Sequence, residues 1–199
     1  MTRLTTRDLI NSAIFAVIYF VIMYSSGMIG LAGPAFMFVG WTISILINGI
    51  VVMLLWARVP KVGAVTILGL IVGLGMAPGH TIWIIPGAIV LGFIADLITW
   101  YGVKDKRIRP ARAITGYAVL QLWFLIPLTP ILIDADAYYA EITEMMGAEY
   151  VSAMRAIFSP TVIGIWGVCL LILGALGGVL GVRMARKHFS RAGLTAAQG

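Results

Sequence analysis

The residue best suited to chemistry is His80, in the run Met76-Ala-Pro-Gly-His80-Thr-Ile-Trp83. Pro78 and Gly79 break any helix and let the chain reverse, so the imidazole is expected at a turn close to the Trp83 indole. A neutral imidazole there could hydrogen-bond a ligand or coordinate a metal centre. An isolated histidine is more often a hydrogen-bonded structural residue, and one His does not make a metal site. A second group is Asp134-Ala-Asp136-Ala-Tyr138-Tyr139. Carboxylates beside two tyrosines suit a cationic or hydrogen-bonding solute, although an interfacial tyrosine belt with solvated carboxylates explains them too. A third group is Trp41, Trp123 and Trp166. Each is expected roughly 9–15 Å along its helix from one common end of the bundle, at 1.5 Å rise per residue. Buried indoles need an N–H acceptor and stack on planar molecules; they also serve as core. Asn48 and Gln121 are the polar residues nearest mid-depth.

These groups need elements to hold them, and composition says which. Of 199 residues, 61% are hydrophobic and 11% charged. A soluble domain carries about twice that charge. Six apolar segments, at about 9–28, 35–57, 62–78, 82–101, 111–133 and 161–182, meet or approach the ~17–25 residues that cross a bilayer. Backbone amides must be satisfied without water, so each is read as a separate helix. The third is the shortest and is expected to lean or stop early. The fold class is therefore an all-α integral membrane protein, a six-helix bundle. Residues 1–190 form one transmembrane domain and 191–199 a flexible cytoplasmic tail.

Charge fixes the direction. Thirteen of the fourteen Lys and Arg residues lie before the first span, between the second and third, between the fourth and fifth, or after the sixth. The positive-inside rule then puts both termini in the cytoplasm. The net charge of +6 reads as topology and not as a nucleic-acid footprint. The other side receives 30–34, 77–81 and the long segment 134–160, where Arg155 is the only basic residue. In that segment Ile142, Met146, Tyr150, Met154 and Phe158 recur every four residues. This pattern predicts an amphipathic helix on the outer surface, interrupted near Gly147, either hugging the membrane or covering a pocket. No small-residue cleavage site follows the first apolar run, so that run is expected to be retained as a span.

Other chemistries lack their motifs. There is no Walker A loop for ATP, no HExxH and no GxSxG. His188 falls in the basic tail. The single cysteine, Cys169, excludes an internal disulfide and a thiolate cluster. Small residues at four-residue spacing, Ser12/Ala16, Gly69/Gly73, Gly174/Gly178 and Gly177/Gly181, permit close helix contact. On the terminal first span, Ser12 and Ala16 could instead face another subunit. Asp96, near the cytoplasmic end of the fourth span, is expected to pair with a nearby Arg or Lys or to contact a coupling helix.

Several stretches in order, Leu4-Thr-Thr-Arg-Asp-Leu-Ile10, Gly79-His80, Gly92-Phe-Ile-Ala-Asp-Leu-Ile98, Gly116-Tyr-Ala-Val with Leu122-Trp123 and Pro127-Leu, Asp136-Ala-Tyr-Tyr139 and Gly177-Gly-Val-Leu-Gly181, resemble the Trep_Strep (MptaS-type) family. Its members are proposed substrate-binding S components of energy-coupling factor (ECF) transporters. The resemblance implies six helices with cytoplasmic termini in the bacterial cytoplasmic membrane, and an outward pocket under the loops after the first, third and fifth spans. It implies no catalysis by the chain itself. The partners would be a transmembrane coupling subunit (T component) and two ABC ATPases, which supply the missing engine. Such S components commonly present an Ala-xxx-Ala face on the first helix to the coupling subunit; Ser12 and Ala16 stand there in this sequence. Similar systems are associated with haem uptake, which makes haem one expected solute, with His80, Met76, Tyr138, Tyr139 and the three tryptophans around it. The rival readings are a ligand-free structural subunit, a lipid-acting membrane enzyme and a small channel.

Overall fold

A computed structural model describes residues 3–105 and 107–191, with side chains through Lys187. Lys106 of the basic loop, the His188 side chain and the expected tail from 192 onward lie outside the described residues. The described chain is all-helical, with no strand.

Helix α1 (Thr6–Gly27) starts where Thr5 and Asp8 satisfy each other's free groups. The Asp8 N–H donates to Thr5 Oγ1 and the Thr5 N–H to Asp8 Oδ2, a reciprocal capping box. Lys61, in the loop after α2 (Phe36–Arg58), reaches back to Asp8 at 2.6 Å and fastens the start of α1 to that loop. A short 3₁₀ stretch, Met28–Ala32, and Gly33 at φ +147° turn the chain from α1 into α2. Helices α3 (Ala64–Met76) and α4 (Ile84–Trp100) form a hairpin. Helix α5 (Pro110–Leu120) continues as eight 3₁₀ residues, Gln121–Leu128, and then as a short α6 (Thr129–Ile133). Two amphipathic helices follow, α7 (Ala135–Met146) and α8 (Ala148–Ile157), before the long α9 (Pro160–Arg191).

Among the described residues, four segments are long and apolar enough to cross a membrane: Thr6–Ala32, Phe36–Arg58, Pro110–Ile133 and Pro160–Lys187. The other two expected spans are shorter. Helix α3 has 13 residues and α4 has 17. At 1.5 Å per residue they measure roughly 20 and 26 Å, against hydrocarbon about 30 Å thick. Apolar side chains also cover the outside of the bundle. Ile14, Val17, Leu74, Val90 and Ile165 are each more than half exposed, a surface suited to lipid and costly in water.

Small residues decide which helices touch. A Cβ at Gly49 of α2 would strike the Gly177 carbonyl of α9, and one at Gly181 would strike the Gly49 carbonyl. Likewise a Cβ at Gly69 of α3 would meet the Ala88 carbonyl of α4. The spacing expected for Gly69/Gly73 and Gly177/Gly181 thus serves contacts within the chain. Ser12 and Ala16 correct the expectation made for them. Both are fully buried inside the chain, so this face packs inward and is not offered to another subunit. The lipid-facing side of α1 carries large residues instead, Ile10, Ile14, Val17 and Val21.

Asp96 gives a second correction. Its carboxylate accepts hydrogen bonds from the N–H groups of Gly63, Val65 and Thr66, from Thr66 Oγ1 and from Trp56 Nε1. The first turn of a helix has free N–H groups and a positive dipole end. Asp96 therefore caps α3 from the side of α4 in place of the expected partner Arg or Lys.

Candidate functional site

At the end of the bundle holding the α3–α4 turn lies a cavity of 390 Å³. Three parts of the chain enclose it. The turn contributes Gly79, His80, Thr81 and Trp83; the end of the 3₁₀ stretch and α6 contribute Pro127, Thr129, Pro130 and Ile133; α7 contributes Asp134, Tyr138, Glu141 and Met145. Helical spacing explains the last set. Positions 134, 138, 141 and 145 are separated by three or four residues and share one face. Asp134 begins that face as the N-cap of α7, accepting from the Ala137 N–H at 3.1 Å.

The sequence places the turn as expected. Pro78 and Gly79 lie in the 3₁₀ turn Ala77–Gly79, and His80 follows at a bend. His80 Nδ1 lies 3.2 Å from the Met76 carbonyl. A carbonyl only accepts, so Nδ1 carries the proton and Nε2 is left as an acceptor. The ring has an open face, yet protein on its other side desolvates the imidazolium and lowers its pKa; the Met76 carbonyl opposes this in part. At neutral pH the ring is uncharged. The Tyr138 hydroxyl is pushed up to about 12, chiefly by desolvation and further by Tyr139 and Glu141, and remains a neutral hydrogen-bonding group.

The residues expected to form one binding set fall into three places. His80, Trp83 and Tyr138 meet at the cavity. Asp136 and Tyr139 lie around Arg155 of α8, with an ion pair at 2.9 Å to Asp136 and the guanidinium 4.4 Å over the Tyr139 ring. Successive helical residues are turned by 100°, so Tyr138 lines the cavity and Tyr139 turns toward Arg155, their rings still in edge contact at 5.5 Å. The third place is the aromatic interior. Trp41 lies 5.8 Å from Trp166 and 6.0 Å from Phe124, and Trp123 lies 4.3 Å from Phe124. Phe38 and Phe158 fill the gaps. Gln121 sits beside this cluster in a buried chain of hydrogen bonds. Trp123 Nε1 donates to the Tyr19 hydroxyl, which donates to Gln121 Oε1; Gln121 Nε2 donates to the Tyr117 carbonyl. Nearby Asn48 donates to Ser44 and to the Tyr19 carbonyl.

Haem coordinated by His80 and stacked on the deep tryptophans requires these groups around one space. The structure separates them: His80 opens on the cavity, while the tryptophans pack on phenylalanines. No group of three or more His, Cys, Asp or Glu side chains gathers among the described residues. Asp134, from the second group, lines the cavity as well, and Glu141 and Thr129 are lining residues that no motif marked. For Glu141 the available signal was its place on the α7 face that begins at Asp134; Thr129, at the start of α6, carried none.

The roof over this end is tied down. Gly147, at φ +86°, separates α7 from α8 at the expected interruption. From α8 the Tyr150 hydroxyl donates to the Gly30 carbonyl at 2.9 Å. Val151, Met154 and Phe158 bury the inner face, whereas Met146, from the same stripe, remains exposed.

No curated protein and no solved structure matches the chain. Residues 6–191 match Trep_Strep, described as a hypothetical bacterial integral membrane protein, and the chain belongs to that family.

Proposed function

We propose that this chain is the solute-capturing S component of an ECF-type importer. The observation that carries the reading is the cavity under α7, built from the turn after α3, the end of the fifth span and the segment after it. A pocket of a few hundred Å³ with an apolar wall and a few convergent polar groups suits a small molecule. In this reading α3 and α4 also cross the bilayer, the short α3 by local thinning or by shelter among neighbours. Six crossings leave the basic loops and both termini in the cytoplasm and open the cavity outward. The solute enters beside His80 and Trp83, with α7 above it. A coupling subunit and two ABC ATPases then drive its release inward, since the chain carries no phosphate-binding loop of its own. With Ser12 and Ala16 packed inside, the coupling subunit meets other surfaces of the chain. Haem fits this arrangement poorly because its proposed ligand and stacking residues do not converge.

The test is affinity purification from gently solubilised bacterial membranes. An ABC ATPase pair and a transmembrane coupling protein should co-purify with the chain. Recovery of the chain alone under conditions that keep other membrane complexes intact would overturn the reading.

A further inference from the structure

We infer that the cavity under α7 selects an organic cation, a small molecule carrying an alkylated ammonium group. This rests on the reading of that cavity as a solute site. Its charged lining residues are of one sign. Asp134 and Glu141 face it from α7, and neither Lys nor Arg is among its lining residues. The one basic residue of the outer segment, Arg155, is held at 2.9 Å by Asp136 and lies over Tyr139, outside the lining. His80 presents a neutral ring. Two aromatic side chains complete the wall, Trp83 from the turn and Tyr138 from α7. Aromatic faces attract a cation through the ring quadrupole, and best when water is partly excluded.

The polar groups also argue against an anion. The lining side chains that could donate are neutral hydroxyl, imidazole and indole groups, and two carboxylates would repel a negative solute. The Asp134 carboxylate is oriented by its cap to the Ala137 N–H. Glu141, one face-repeat further along α7, lies exposed beside Tyr138 and supplies the second charge. Aliphatic walls from Ile133, Ile142 and Met145 suit the methyl groups of an alkylated ammonium better than a small hydrated metal ion.

The experiment uses the full chain in lipid nanodiscs and isothermal calorimetry. The probes are choline and its uncharged isostere, in which carbon replaces the quaternary nitrogen. Choline should bind at least about tenfold more tightly than the isostere. Glu141→Gln should remove most of that advantage while leaving the isostere unchanged, and Trp83→Ala should weaken choline independently. Equal affinity for the two probes, no choline binding at millimolar concentration, or an unaltered preference in both variants would each overturn the assignment. Co-purification of ATPases and coupling subunit is scored on the same preparations. Its presence without a charge preference brings down only the ligand class, and its absence brings down the importer reading.

Discussion

Trp56 of α2 donates its indole N–H to Oδ1 of Asp96 on α4 across 2.8 Å, inside the bundle. The same carboxylate caps α3, so one buried side chain joins three helices. Asp96→Ala leaves the indole and several backbone N–H groups without an acceptor, each costing about 1–3 kcal/mol when buried. A loss of at least about 3 kcal/mol is expected, with a smaller loss for Asp96→Asn, which keeps one acceptor oxygen. Unfolding in mild detergent measures both. A change below about 0.5 kcal/mol for the alanine variant would remove Asp96 from the structural account.

The α2–α9 contact depends on absent side chains. Gly49→Ala and Gly181→Ala each force a Cβ into a facing carbonyl. Overpacking of this kind costs about 1–3 kcal/mol, more where backbone must move. Gly164 on α9 has open space around its missing Cβ. Gly164→Ala should therefore be neutral or stabilise by up to about 1 kcal/mol through helix propensity. Thermal stability of the three variants, compared side by side, checks the contrast.

The tie between Tyr150 and the Gly30 carbonyl predicts how the roof responds to a single oxygen. Tyr150→Phe keeps the ring and removes the hydrogen bond, worth about 1 kcal/mol net. Amide exchange in 148–157 should accelerate several-fold, while exchange in α2 and α9 stays unchanged. Uniform acceleration throughout would mean a global loss of stability instead.

Acidification should act through His80. The folded state disfavours its imidazolium, so the unfolded chain binds the proton more readily. The contribution to stability is full above the ordinary histidine value of about 6.5 and is lost as pH falls below it. Protonation also places a positive charge on the cavity that Asp134, Tyr138 and Glu141 line. Choline affinity should thus drop only below the ordinary histidine range, and His80→Gln should flatten that drop. NMR titration of the two histidines, assigned with the same variant, reads the protonation directly. Uptake above the ordinary value would contradict the desolvated position.

Much of the fold was legible because lipid leaves few options. Apolar length located α1, α2 and α9, and the Pro78-Gly79 pair located the α3–α4 turn. Gly147 marked the break between α7 and α8 because its positive φ suits a residue without a Cβ. Other features depend on tertiary contact. Asp96 looked like a partner for a basic residue, since nothing in its own segment reveals that the start of α3 lies against it. Ser12 and Ala16 looked outward because spacing identifies a small face but not its neighbour. The three tryptophans share a depth and do share a cluster, yet depth alone could not separate them from His80. Tyr138 and Tyr139 keep their rings in edge contact at 5.5 Å, yet only Tyr138 reaches the cavity, a distinction that adjacency in the sequence does not reveal.

The 3₁₀ stretch Gln121–Leu128 has a mechanical corollary. A 3₁₀ helix rises about 2.0 Å per residue against about 1.5 Å for an α-helix, so eight residues wound this way extend roughly 4 Å further. That extra length sets the height of Pro130 and of everything attached beyond it. Rewinding the stretch would draw α6 and the start of α7 back by that distance relative to the α3–α4 turn, so the position of one cavity wall against the other is encoded in backbone pitch as well as in side-chain bulk.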